Sequence, residues 1–344
     1  MSQHTYVAIM AGGVGSRFWP ASREDRPKQF LDIAGTGKSL LRITFERFLR
    51  LTTADRILIV TNERYAAQVK EHLPEISDNQ ILREPSRNNT APCVAYTAFK
   101  LYSLDPEANF VIAPSDALIH NEGIFTDNLR KALEFTAAND ALVTLGISPN
   151  GPNTGYGYIQ FDGEGGNDGI YPVKRFTEKP DLNTAKSFIN SGDYLWNAGI
   201  FIWRAKTILT AYREHAPEIY RLLENNEGCY NTDREQDFIN KMYPQTPSIS
   251  VDYAIMEPAT NIYTIPAQFG WSDLGTWKSL HEETDQDTEG NVVIGENILL
   301  TDTHNSLISA PAGKIVVAGG LDDFIVVDEK DVLLIFPKNR EQEI

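Results

Sequence analysis

Apolar residues over the first 150 positions follow two alternating rhythms. Short unbroken runs at 6–11, 56–61, 110–113 and 142–145 have the length and β-branched content of buried strands. Between them, 38–51, 65–73, 90–104 and 125–139 place apolar residues every three or four positions, which predicts helices. Continuous apolar strands alternating with amphipathic helices are the pattern of a mostly parallel sheet with helices on both faces, a Rossmann-like α/β fold. From 156 to about 291 the rhythm is mixed: strand-like 158–161 and 200–203 stand among helical 181–189 and 206–215, as insertions on one sheet would read. After 291, short β-branched runs at 292–300, 305–309, 314–317, 324–328 and 332–336 are separated by Gly, Asp and Asn. That spacing predicts a small all-β module, so the expected division is a main domain over 1–290 and a C-terminal module over 291–344.

The length of 344 residues exceeds the usual single-domain size and agrees with a large domain plus an appendage. With 47 acidic against 31 basic residues the formal net charge is −16, which disfavours nucleic acid and anionic membrane surfaces as partners. A phosphate ligand must therefore be met by cations gathered locally. The two cysteines, Cys93 and Cys229, have no zinc or C-x-x-C spacing, which fits a reducing compartment. The apolar run at 6–11 is too short for a signal-peptide core, and no stretch approaches the ~20 residues of a membrane helix. A cytoplasmic address is expected.

The first strand runs into Ala11-Gly12-Gly13-Val14-Gly15-Ser16-Arg17-Phe18-Trp19-Pro20, followed by Pro27-Lys28-Gln29-Phe30. Glycines let backbone N–H groups approach an anion closely, though a tight strand-to-helix turn asks for the same residues. Arg17 can fork onto phosphate oxygens and Lys28 can add a point charge. The loop lacks the Gly-Lys-Ser/Thr ending of a P-loop, and Phe18 stands where a dinucleotide fingerprint needs its third glycine. A dehydrogenase is disfavoured on that ground.

Taken together, Gly12 to Pro20, Ser22-Arg23 and Pro27 to Phe30 resemble the signature of bacterial mannose-1-phosphate guanylyltransferases, within the sugar-1-phosphate nucleotidylyltransferases. The resemblance implies that 1–290 is a nucleotidyltransferase catalytic domain whose loop, with Ala11, Gly12, Gly13, Gly15 and Ser16, wraps the GTP phosphates. It further implies that Arg17 and Lys28 offset charge at the α-phosphate and the departing pyrophosphate, and that the β module is left-handed β-helix-like. Glu84-Pro85-Ser86-Arg87-Asn88-Asn89-Thr90-Ala91-Pro92 resembles the family segment that lies against guanine and ribose, here through Glu84, Asn88, Asn89, Thr90 and Ala91. Asn88 stands where the family usually has arginine, and Thr90 or Asn89 can equally cap the helix that follows.

Ala113-Pro114-Ser115-Asp116 ends a predicted strand, the edge where ligands gather in open α/β sheets. Ser115 is placed with the nucleotide and Asp116 with a divalent metal, although an isolated Asp after a strand is commonly a turn residue. Trp271-Ser272-Asp273-Leu274-Gly275-Thr276-Trp277 resembles the family's W-S-D-x-G-T-W and supplies the second carboxylate, so Asp116 and Asp273 form the expected Mg2+ pair. The flanking tryptophans read as packing. Gly155-Tyr156-Gly157-Tyr158, Phe176-Thr177-Glu178-Lys179-Pro180 and Trp196-Asn197-Ala198-Gly199 resemble the sugar-phosphate side. They nominate Tyr156, Gly157, Glu178, Lys179, Asn197 and Gly199, with Lys179 also a catalytic cation. A surface salt bridge is the plain alternative for Glu178 and Lys179. Ser250 to Glu257 resembles a further family segment in which Asp252 and Glu257 fit a structural role.

The implied reaction joins GTP and mannose 1-phosphate to give GDP-mannose and pyrophosphate, with Mg2+ as cofactor; a homodimer stays open. The nearest rival is the same chemistry with another base or hexose, against which the 84–92 segment argues. A non-catalytic paralogue that binds sugar nucleotide is the rival of a different class, against which the intact Arg17, Lys28, Asp116, Lys179 and Asp273 argue.

Overall fold

The computed structural model describes residues 3–33, 35–224 and 228–344. Strands in chain order are β1 (Thr5–Met10), β2 (Ile57–Asn62), β3 (Ile81–Glu84), β4 (Asn109–Pro114), β5 (Leu118–Ile119) and β6 (Leu142–Ile147). They continue with β7 (Tyr158–Phe161), β8 (Tyr171–Thr177), β9 (Tyr194–Arg204), β10 (Ile262–Ala267) and β11 (Trp271–Ser272). The last six are β12 (Val292–Ile294), β13 (Asn297–Thr301), β14 (Leu307–Ser309), β15 (Ile315–Gly319), β16 (Phe324–Asp328) and β17 (Leu333–Pro337). The chain forms two compact units: one of Met1–Gly12, Phe45–Pro114 and Ile119–Trp271, the other of Gly13–Thr44, Ser115–Leu118 and Ser272–Ile344. The tail thus groups with the glycine-rich segment and with the residues around Asp116 and Asp273.

In the first unit nine strands form one sheet, ordered β3-β2-β1-β4-β9-β6-β10-β8-β7. β3, β2, β1 and β4 are parallel, and Val7, Ile9, Ile57, Ile59 and Val111 are all fully buried, as parallel strands covered on both faces require. Tyr6, Ala8, Leu58, Val60, Phe110 and Ile112, which alternate with these, share a core with the helices Thr90–Leu104 and Ala205–His215. The helix Glu122–Ala138 packs against β4, β6, β9 and β10, where Asn109 Nδ2 donates to Leu133 O at 2.8 Å.

The expectation of a mostly parallel sheet needs correction. β9 runs antiparallel to both β4 and β6, β7 is antiparallel to β8 and β9, and β10 is parallel to β6 but antiparallel to β8. The sheet is mixed. Strand direction is set by pairing across the sheet, and β9 carries the apolar content of a parallel strand because it too is buried on both faces, with Ile202 and Trp203 at 0% exposure. β3, β8 and β10 were also absent from the sequence pattern, each being short or interrupted by charge or proline.

In the second unit β12, β14 and β16 form a parallel ladder that aligns Val292 with Leu307 and Leu307 with Ile325. β17 closes it antiparallel to β16, and β13 pairs parallel with β15. Val292, Leu307, Ile325 and Val327 share a core with Phe18, Ala21, Leu31, Leu274 and Trp277. Apolar side chains of the tail therefore hold in place the segments that carry Arg17, Lys28 and Asp273.

Candidate active site

In the second unit Gly15 has φ +69°, and a Cβ there would stand 2.5 Å from Lys28 Cβ, so glycine is required both by conformation and by space. The close approach lets Lys28 N donate to Val14 O at 3.2 Å and carries the Lys28 side chain inward, where the residue is only 3% exposed. Its ammonium donates to Asp116 Oδ2 at 3.0 Å, Asp116 O at 3.4 Å and Asp273 O at 2.9 Å, with the Phe18 ring centroid 5.3 Å away. One buried cation thus joins residues 88 and 245 positions distant in sequence.

Asp273 Oδ1 accepts the Gly275 N–H at 3.1 Å. A side chain at Gly275 would meet Asp273 Oδ2 at 3.0 Å and Arg17 Nη2 at 3.4 Å, so the bare glycine keeps space beside that carboxylate and an exposed guanidinium. Phe18 and Trp277 pack edge to face at 4.9 Å, and Trp277 Nε1 donates to Trp19 O at 3.0 Å, which fixes the turn carrying Ser16 and Arg17. Gly13 and Ser16 lie exposed on this loop, whereas Ser115 is buried and its carbonyl accepts from Thr44 Oγ1 at 3.0 Å. Among the described residues no group of three or more His, Cys, Asp or Glu forms a ready-made metal cage. Asp116 Oδ2 and the main-chain carbonyl of Asp273 meet at the Lys28 ammonium, and the two side chains are hard oxygen donors of the kind a divalent ion takes together with water and phosphate.

In the first unit Ala11 ends the run from β1 and is buried, with its N–H donating to Val60 O at 2.7 Å. A Cβ on Gly12 would lie 3.4 Å from Glu84 Oε2, so the bare glycine lets the loop backbone pass close to that oxygen. Tyr243 Oη donates to Glu84 Oε1. Burial pushes the Glu84 carboxyl up to about 7, against the opposing hydrogen bonds from Tyr243 and Cys93. Asn88 Nδ2 reaches Tyr243 O, Thr246 O and Thr246 Oγ1 at 3.1, 2.8 and 3.0 Å, so both amide hydrogens are engaged within the protein. Asn89 adopts φ +67° and its Oδ1 accepts the Thr90 N–H at 2.8 Å, capping the helix Thr90–Leu104. Thr90 Oγ1 accepts from Val251 N at 2.9 Å, and Ala91 donates to Ile249 O at 3.0 Å.

The sugar-side motifs of the first unit also converge. A Cβ on Gly157 would stand 2.5 Å from Glu178 Oε2, which explains glycine there, and Asn197 N donates to Gly157 O at 2.8 Å. Lys179 pairs with Glu178 Oε1 at 2.8 Å from a half-exposed position, while Glu178 itself is buried. Asn197 Oδ1 accepts from Thr144 Oγ1 at 2.8 Å and from Gly199 N at 3.1 Å, and its Nδ2 donates to Asp252 Oδ1 at 2.9 Å. Tyr156 lies edge-on to Trp196 at 5.0 Å and to Trp271 at 5.4 Å. Burial, then the charge of Glu178, raises the Asp252 carboxyl above its ordinary range.

Residues 6–290 match the family model described as nucleotidyl transferase. The chain belongs to the nucleotidyl transferase family. It is 38% identical over 341 residues to the mannose-1-phosphate guanylyltransferase RfbM of Salmonella typhimurium, spanning 98% of this chain and 70% of that relative. It is 34% identical over 354 residues to an Escherichia coli mannose-1-phosphate guanylyltransferase, spanning all of this chain and 75% of the relative. Among solved structures, one from Thermus thermophilus described as a mannose-1-phosphate geranyltransferase superposes with a TM-score of 0.87 at 31% identity, covering 99% of this chain and 97% of that one.

For a nucleotidyl transferase the arrangement offers two kinds of chemistry. The Lys28, Arg17, Asp116 and Asp273 cluster can stabilise phosphoryl charge, and the Glu84 to Ala91 segment presents acceptors at the end of β3. Residues absent from the expected site support the 84–91 segment and the sugar-side motifs: Tyr243 and Thr246 brace Glu84 and Asn88, while Glu257 Oε1 accepts the Glu178 N–H at 2.9 Å. The Ser250 to Glu257 motif hinted at Glu257. Tyr243 gave no such signal, since an aromatic near the end of an amphipathic helix ordinarily reads as core.

Proposed function

We propose that this enzyme transfers the guanylyl group of GTP to α-D-mannose 1-phosphate, giving GDP-mannose and pyrophosphate. The observation that carries the reading is the buried Lys28 ammonium joining Asp116 and Asp273, in a chain 34–38% identical to mannose-1-phosphate guanylyltransferases over nearly its whole length. A phosphate oxygen of the sugar attacks the α-phosphorus, the new P–O bond forms, and the bond to the bridging oxygen of the β-phosphate breaks in line. The nucleophile is already an anion at neutral pH, so no base is required. Arg17 and Lys28 offset charge that grows on the α-phosphate and the leaving pyrophosphate, and Lys179 meets the sugar phosphate. Ala11, Gly12, Gly13, Gly15 and Ser16 admit the triphosphate, Glu84 to Ala91 and Ser115 the nucleoside, and Tyr156, Gly157, Glu178, Asn197 and Gly199 the hexose. Mg2+ held by Asp116 and Asp273 would supply charge neutralisation on the phosphate oxygens. The catalytic work is assigned to 1–290, with 291–344 as a left-handed β-helix-like module in a cytoplasmic enzyme.

The test is a panel of nucleoside triphosphates and hexose 1-phosphates assayed for stoichiometric pyrophosphate. GTP with mannose 1-phosphate is expected to lead; equal rates with ATP or dTTP would refute the guanine assignment. Asp116→Asn and Asp273→Asn should each raise the Mg2+ concentration for half-maximal rate, and the double variant should cost much less than the sum. Additive losses at unchanged Mg2+ dependence would show that the two carboxylates share no ion.

A further inference from the structure

The segment 84–91 is held by a stretch of chain more than 150 positions later. Tyr243 donates to Glu84, and Asn88 donates to Tyr243 O and to both oxygens of Thr246. Thr246 Oγ1 donates to Tyr243 O at 2.7 Å, which closes the turn on itself. Further along, Ile249 O and Val251 N engage Ala91 and Thr90. Tyr243 is fully buried, packs edge to face on Tyr96 at 6.4 Å, and has no freedom to place its hydroxyl elsewhere.

The two carboxylate oxygens of Glu84 are therefore inequivalent. Oε1 accepts from Tyr243 and Oε2 lies beside the bare Gly12, while the Cys93 thiol also donates to the carboxylate. We propose that the 243–246 turn is a positioning element for nucleotide recognition, in which Tyr243 orients Glu84 so that Oε2 accepts an N–H or O–H of the purine nucleoside. The inference rests on the reading of Glu84 to Ala91 as the nucleotide side and adds the group that aims it. Burial raises the Tyr243 phenol well above its usual range, so it remains a donor throughout neutral pH. The groups facing Glu84 are Tyr243, Cys93 and Tyr96, and burial likewise keeps the thiol and the second phenol neutral. Because the Tyr243 hydrogen bond lowers the Glu84 pKa, losing it moves that carboxyl further up. At pH 6.5–7.5 more of Glu84 then carries a proton and Oε2 is a poorer acceptor.

The experiment compares initial rates of wild type, Tyr243→Phe, Thr246→Val, Glu84→Gln and Tyr230→Phe across pH 6.5–8.5. KM is measured separately for GTP and mannose 1-phosphate. Tyr243→Phe should raise KM for GTP roughly tenfold at pH 6.5–7, the order expected when a hydrogen bond to a charged group is lost. The defect should shrink toward pH 8.5, with KM for mannose 1-phosphate within about twofold of wild type. Thr246→Val, which keeps shape and removes one hydroxyl, should show a smaller rise in the same parameter and serves if Tyr243→Phe does not fold. Tyr230→Phe loses another buried hydroxyl, whose partner is Leu223 O at 2.6 Å, and should lower Tm without moving KM. If Glu84→Gln raises KM for GTP and Tyr243→Phe does not, the positioning role is overturned by itself. If Glu84→Gln changes nothing, the nucleotide-side reading fails and this inference falls with it. A Tyr243→Phe defect that is equal for both substrates and independent of pH would also overturn it.

Discussion

Replacing Lys28 by methionine keeps the length of the side chain and deletes its charge. Three acceptors lose their donor: Asp116 Oδ2, Asp116 O and Asp273 O. Hydrogen bonds to a charged group contribute ~1.5–3 kcal/mol each, but the Asp116 side chain is 36% exposed and water can replace the ammonium there. Relief of the desolvated ammonium offsets part of the remainder, while the contact with the Phe18 ring costs about 0.5–1 kcal/mol more. The net expectation is a loss of ~2 kcal/mol and a Tm lower by a few degrees. Turnover should fall far more, by ~10²–10³-fold, as when a preorganised donor to a developing anion is removed. Thermal unfolding and pyrophosphate release on the same preparation read the two effects. A folded variant with wild-type kcat would refute the mechanistic role of Lys28, and an unchanged Tm would refute the buried, three-acceptor account of its packing.

Gly15→Ala forces a positive φ on a residue with a side chain and drives its Cβ into Lys28 Cβ, so it should cost at least ~1–2 kcal/mol of stability and most of the activity; a wild-type melting curve would contradict this. Gly157→Ala meets Glu178 Oε2 and should raise KM for mannose 1-phosphate with little change in KM for GTP, a split that steady-state kinetics resolves. The Glu84 carboxyl, ordinarily 4.5, rises to about 7 in the folded chain. A raised acid pKa gives stability that is fully present below the unfolded value and is lost as pH climbs through the folded one. The ligand-free enzyme should therefore lose up to ~3 kcal/mol from this group between about pH 4.5 and 7.5, whereas Glu84→Gln should have a flatter Tm against pH; parallel curves would refute the burial argument.

Local periodicity determined much of this protein by itself. The parallel strands β1, β2 and β4 and the helices Leu40–Phe48, Ala66–His72, Thr90–Leu104 and Glu122–Ala138 fall where unbroken and three-to-four-residue apolar rhythms place them. Such patterns depend only on neighbouring residues and on which faces become buried. The β-rich tail was legible for the same reason, although 292–300 is two strands, Val292–Ile294 and Asn297–Thr301. The motifs likewise nominated residues, because a glycine, an arginine or an aspartate at fixed spacing has a restricted chemical repertoire.

Only the tertiary structure decided strand direction, burial and partnership. In sequence 200–203 reads only as a strand among insertions, whereas β9 runs antiparallel between β4 and β6 in the middle of the sheet. In sequence Lys28 is a point charge for phosphate with no evident partner, and the fold buries it against a side chain and two carbonyls from distant segments. Glu84 is bound by a tyrosine 159 positions later, and Asn197 by Asp252, 55 positions on. Hydrogen bonds of that kind obey no spacing rule: they depend on where packing brings two surfaces together, and a carboxylate's state depends on how much water that packing removes.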